Sequence, residues 1–113
     1  MSIPYNLEER TFLFAKNCRL LINSLPKTIS NIEDSKQLAR SSGSVGANYI
    51  EANENLGSRD YKMHLKIARK EAKESRFWLR LLHDINLESQ TVSHDLIIES
   101  DEIRKILSAI INK

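Results

Sequence analysis

Residues 61–75 read Tyr61-Lys62-Met63-His64-Leu65-Lys66-Ile67-Ala68-Arg69-Lys70-Glu71-Ala72-Lys73-Glu74-Ser75. Tyr61, Leu65, Ala68, Ala72 and Ser75 recur at alternating gaps of four and three, and Leu79 and Leu82 continue the series. That interval puts them on one side of an α-helix, and no strand alternation competes with it. Repeated 3–4 spacing belongs to helices that cross at about +20°, the packing of helical bundles. Just upstream, Gly57-Ser58 offers a C-cap glycine and then an N-cap serine.

Three further segments carry the same period. In the first, Thr11, Phe14, Cys18, Leu21 and Leu25 form the stripe, Asn6 and Glu9 make a capping pair, and Pro26 stops the run. The second has Ser30 and Glu33 as its capping pair and a stripe of Ser35, Leu38, Ser42, Val45, Tyr49, Ala52 and Leu56. The last starts near Ser93 or Asp95 and turns Leu96, Ile103, Ile106, Leu107 and Ile110 inward, after a polar loop at Glu88-Ser89-Gln90-Thr91. Helices over about 7–25, 32–56, 59–86 and 94–112, joined by short connections, predict one all-α domain over 1–113. Its expected architecture is an antiparallel up-down-up-down four-helix bundle.

Composition agrees. The chain has 113 residues, 28% charged and 41% hydrophobic, with only three Gly and two Pro to interrupt helices. A single cysteine, Cys18, suits a reducing compartment, and no basic-then-apolar leader or membrane-length apolar run stands out. A cytoplasmic location is expected, with no membrane association. Metal and cofactor chemistry is not expected. Di-iron bundles use Glu-x-x-His pairs, but Tyr61, Arg80 and Thr91 stand three residues before His64, His83 and His94. One Cys and three scattered His do not make a zinc cluster.

Charge is unevenly spread. Residues 59–80 hold eight Lys/Arg against three acids, whereas 84–102 hold six acids and no Lys or Arg. One position past each stripe residue of the third helix stands a base: Lys62, Lys66, Arg69, Lys73, Arg76 and Arg80. This row runs about 27 Å along the helix, a length over which a nucleic acid offers several phosphates. The other reading is a solvated face matched to the acidic segment; an acidic protein partner is a third. The opposite flank, His64, Ile67, Glu71, Glu74, Trp78, Leu81 and Ile85, widens the apolar face beyond one neighbour's reach. It belongs to the core or to a subunit interface. Glu71 and Glu74 within it need partners, Arg40 among them, because a lone buried carboxylate is costly.

Ala39, Gly43 and Gly46 fall on one side of the second helix, a small-residue face suited to close packing; the other side, from Gln37 through Ser41, Ser44, Asn48 and Glu51 to Asn55, is polar. The spacing is not that of a phosphate-binding loop. Arg59 and His64 have the Arg-x4-His spacing of the HEPN ribonucleases, in which Arg would bind the phosphate and His manage a proton. Eight Arg and three His make such a match easy by chance. No enzymatic activity is expected. The few aromatic residues lie mostly on core stripes, so binding is expected to be directed to the backbone of the nucleic acid.

Arg40-Ser41-Ser42-Gly43-Ser44-Val45-Gly46-Ala47-Asn48-Tyr49-Ile50-Glu51-Ala52 resembles the signature of bacterial four-helix bundle proteins encoded in intervening sequences of 23S ribosomal RNA genes, formerly labelled S23 ribosomal proteins. Asp60-Tyr61, residues 65–75 and Trp78-Leu79-Arg80-Leu81-Leu82 fit as well, and the likeness spans roughly 10–112. Ile50-Glu51-Ala52 stands where many members carry Ala-Glu-Gly, so no role is implied for a glycine there. The resemblance implies a homopentameric barrel. It is also similar to the accessory protein of diversity-generating retroelements, a basic bundle that binds nucleic acid and a reverse transcriptase, so a scaffold for a partner enzyme is an alternative reading. Asn48, Glu51, Glu71 and Glu74 match signature positions, and structural roles are expected for them. The ribosomal label reflects gene location and does not imply ribosome membership.

Overall fold

The computed structural model describes residues 6–54 and 57–113. Four helices, α1 (Leu7–Ser24), α2 (Ile29–Asn53), α3 (Ser58–Ile85) and α4 (Gln90–Ile111), form an antiparallel bundle, with a short 3₁₀ turn at Leu87–Ser89. Among the described residues there is no strand. The second and third helices pack most extensively, α3 lies next against α4, α1 rests on α2, and the seam between α1 and α4 is the sparsest.

The stripes read from the period form the core. Phe14, Cys18 and Leu21 from α1, Leu38 and Val45 from α2, Leu65, Leu79 and Leu82 from α3, and Ile103 and Leu107 from α4 are all buried. Burying each large apolar side chain contributes about 1.5–3 kcal/mol before the entropy of ordering is counted. Tyr49, Tyr61 and Ile110 pack at the margin of this core. Leu56 lies outside the described residues.

Three boundaries differ from the sequence expectation. Thr28, not Ser30, caps α2: its Oγ1 accepts from the Asn31 backbone N–H at 3.1 Å, so the helix opens at Ile29. Pro26 ends α1 just upstream, and Thr28 is the first residue after it whose side chain can accept a capping hydrogen bond. Asn31, placed in the first turn, then exchanges amide hydrogen bonds with Asn86 at 2.8 Å each way and pins the start of α2 to the end of α3. The expected loop at Glu88-Ser89-Gln90-Thr91 is a 3₁₀ turn running straight into α4, which starts at Gln90 rather than near 94. Ser93 is no cap; it is buried, with Oγ 2.7 Å from His83 Nδ1 and 3.1 Å from the Ser89 carbonyl. Finally, Gly57 is the N-cap of α3 with Ser58 already helical, and α2 ends at Asn53. The Gly57 φ of 135° explains the residue, since side chains other than glycine rarely tolerate it. Asn6 caps α1 as expected, accepting from Glu9 N–H at 3.3 Å.

The small-residue face of α2 is where α1 comes close. A Cβ on Gly46 would meet Thr11 Oγ1 at 2.9 Å and Thr11 Cβ at 3.2 Å, and one on Gly43 would meet the Arg19 guanidinium at 3.2 Å. Thr11 is held there by donating to the Leu7 carbonyl at 2.6 Å. Cys18 in the same region is buried; desolvation raises its thiol from 9.0 to about 12, against smaller opposing effects of Ser42 and Arg19. It is an inert core thiol at neutral pH.

Candidate nucleic-acid interface

The exposed surface of α3 follows from its own period. With the core stripe turned inward, each position one step past it emerges on the flank toward α4. Lys62, Lys66, Lys73, Arg76 and Arg80 are exposed there, and Arg69 is half-buried with Nη1 donating to Ser108 Oγ at 3.3 Å. Among the described residues, none of the six forms an ion pair. Three of the six acids of residues 84–102 are engaged elsewhere. Glu99 takes a two-pronged pair from Arg10 at 2.7 and 2.8 Å, while Asp101 and Glu102 pair with Arg104 and Lys105 of their own helix. The hydrogen bond from Arg104, with smaller help from Lys105, holds the Asp101 carboxyl below its usual range. Among the described residues, then, no ion pair joins the basic row of α3 to the acidic segment.

The basic surface is broader than the single row. Arg59 and Lys70 join Lys62, Met63, Lys66 and Ile67 around a shallow cleft of about 530 Å³. A second cleft of about 410 Å³ is lined by Lys66, Arg69, Lys70, Lys73, Glu74 and Phe77. Lys70 follows Lys66 by four residues and Arg59 precedes it by seven, so both share its side of the helix. Arg59 was singled out in the sequence only as the partner of His64, and Lys70 was not, because neither stands beside a stripe residue. Phe77 was missed as well: it is 53% exposed, its ring centroid 4.9 Å from that of Trp78 in an edge-on contact.

The flank toward α2 is a polar seam. Arg40 reaches across to Glu74 at 2.9 Å and to Glu71 at 3.5 Å, so the two carboxylates have the partner expected of them. Glu71 is buried, and beside it Ser41 Oγ and Ser75 Oγ meet at 2.9 Å. Asn48 Oδ1 lies 3.0 Å from His64 Nδ1, and its amide donates to the Ser44 carbonyl at 2.9 Å. Glu51 is exposed, without an ion pair among the described residues. Ile67 and Trp78 are half-buried, whereas Leu81 and Ile85 emerge on the surface.

Arg59 and His64 stand about 140° apart around α3, as five positions of any α-helix do. His64 is tied to Asn48 on the α2 side, while Arg59 lines the cleft with Lys62 and Lys66. Among the described residues no group of three or more His, Cys, Asp or Glu could hold a metal ion, and no helix is long and apolar enough to cross a membrane.

A second surface feature lies on the far side of the bundle. Phe12, Leu20 and Ile50 are exposed around a groove of about 510 Å³ whose floor includes Gly43 and Gly46 and whose rim carries Lys16 and Arg19.

Taken together, these features define a class: a four-helix bundle with an exposed cationic flank on its third helix and an apolar groove between its first two. The family described as 23S rRNA-intervening sequence protein matches residues 4–109, and the chain belongs to that family. Its structure is similar to a crystal structure of a protein of unknown function from the S23 ribosomal protein family of Bacteroides thetaiotaomicron. The two share 31% sequence identity and a TM-score of 0.80, over 94% of this chain and 98% of that one. No curated protein matches this chain.

Proposed function

We propose that this chain is a non-enzymatic, homo-oligomeric protein that binds RNA or DNA through the phosphate backbone. The observation that carries the reading is the flank of α3, where Lys62, Lys66, Lys73, Arg76 and Arg80 stand exposed and, with Arg69, form no ion pair among the described residues. Like charges a turn apart lie within about one Debye length at physiological salt, so they repel one another until a polyanion neutralises them. Phosphates would do so with release of their condensed counterions.

Self-association has its own support in the exposed apolar groove between α1 and α2. The pentameric ring implied by the resemblance gives the expected copy number. In such a ring several copies of the basic flank would act on one strand, raising avidity without new contacts.

The test is binding of labelled RNA and DNA by the wild type and by a variant with Lys66, Arg69, Lys73 and Arg76 changed to Gln. Affinity at moderate salt should fall by at least tenfold in the variant; unchanged affinity would remove the reading. The same groove favours a protein-interaction scaffold as the second reading, and a partner enzyme retained in a pull-down after nuclease treatment would support it over the first.

A further inference from the structure

Phe77 adds to the basic flank something that phosphate binding does not need. Its ring is half exposed and lines a cleft of about 410 Å³ whose other walls are Lys66, Arg69, Lys70, Lys73 and Glu74. The one carboxylate in that lining, Glu74, is held by Arg40 at 2.9 Å, which leaves the four cations as the charges facing outward. Edge-on contact with Trp78, centroids 4.9 Å apart, restrains the ring. The cleft shares Lys66 and Lys70 with the neighbouring one, which Arg59 and Lys62 extend toward the start of the helix. A continuous cationic track therefore passes beside one restrained aromatic ring.

We infer that the α3 flank binds single-stranded nucleic acid in preference to duplex, with phosphates along its basic row, the adjacent Lys70 extending that track, and one base stacked on Phe77. This rests on the backbone-binding reading above and narrows its ligand. A duplex keeps its base faces inside its own stack and has none to offer a protein ring. A single strand has an unpaired π-face at every nucleotide, and aromatic stacking accepts any base. Four residues of helix advance about 6 Å, so Lys62, Lys66 and Lys70 meet an extended strand at regular intervals.

Trp78 is the only tryptophan in the chain, and its contact with Phe77 makes it a reporter. The experiment titrates wild type, Phe77→Tyr and Phe77→Leu with oligonucleotides of one sequence, as single-stranded RNA, single-stranded DNA and the DNA duplex. Fluorescence anisotropy and Trp78 emission are followed. Wild type should bind at least one type of single strand more tightly than duplex, with Trp78 emission quenched by the single strand. Stacking of one base is worth about 1 kcal/mol or more, so Phe77→Leu should weaken single-strand binding at least about fivefold, leave duplex binding unchanged and abolish the quenching. Phe77→Tyr should retain wild-type behaviour. Because the ring is half exposed, both variants should fold, which circular dichroism checks. Equal single-strand and duplex affinity in wild type, or single-strand affinity indifferent to Phe77→Leu, would overturn the inference. If the variant with Lys66, Arg69, Lys73 and Arg76 changed to Gln also binds like wild type, the backbone reading fails with it. If that variant loses binding, only the stacking is refuted.

Discussion

Gly43 and Gly46 sit three residues apart on α2 and predict opposite responses to the same substitution. A methyl at Gly46 meets Thr11 Oγ1 at 2.9 Å, and Thr11 is locked onto the Leu7 carbonyl, so the helices must part. Gly46→Ala should lower stability by roughly 1–2 kcal/mol even after the gain in helix propensity. A methyl at Gly43 meets only the Arg19 guanidinium at 3.2 Å, a flexible side-chain end that need give only a few tenths of an ångström while it stays beside the Ala15 and Ala39 carbonyls it donates to. Gly43→Ala should leave stability in urea unchanged or raise it, by up to about 1 kcal/mol. Cys18 gives a pH signature. The unfolded thiol ionises near 9.0, whereas the buried one keeps its proton up to about 12. Between those values the unfolded state binds fewer protons, so stability falls as pH rises. Urea titrations from pH 8.5 to 11 should show a steeper loss in wild type than in Cys18→Ala. The small-residue face was legible in the sequence because glycine inside a helix is costly and so marks a close contact. The identity of the contacting residue, Thr11, was not: the period gives a side of a helix, not its neighbour.

The third helix shows what periodicity can and cannot supply. Its stripe, basic row and need for a partner at Glu71 all follow from spacing on one element. The partner itself, Arg40, was narrowed to α2 because buried carboxylates require a cation nearby. Arg40→Gln should cost about 1–2 kcal/mol in a thermal or urea melt, because Glu71 is then left buried without its countercharge. Glu71→Gln in the same background should recover part of that loss. Element ends were less legible. Thr28 displaced Ser30 as the cap of α2, and Ser93 was drawn into the core by His83 instead of opening α4. In both cases a tertiary contact or the preceding proline chose among several residues with equal capping ability. Lys70 and Phe77 escaped notice for a different reason. They lie near the middle of the solvent side of α3, where no stripe residue points to them.

The bundle as a whole has one sparse seam, α1 against α4. Arg10 and Glu99 clasp it at one end, and at the other Leu20, Leu21, Val92 and Leu96 surround a cavity of about 440 Å³. Together with the groove beside α2, this leaves α1 the least covered helix, with Phe12, Leu13 and Leu20 exposed. The pentameric ring that the resemblance implies predicts a light-scattering mass about five times the 13.0 kDa of one chain, and Leu20→Glu should reduce it if α1 forms the contact; a monomeric wild type would refute the assembly. Nucleic-acid binding by this protein depends on α3 meeting an external polyanion. The salt dependence of RNA binding tests that most directly. Six side chains on the phosphates of a single strand predict that log K falls against log salt with a slope of about −4. Changing Lys66, Arg69, Lys73 and Arg76 to Gln should reduce the slope by about 3. A wild-type slope near zero, or one the variant leaves unchanged, would contradict the claim that this flank holds the nucleic acid.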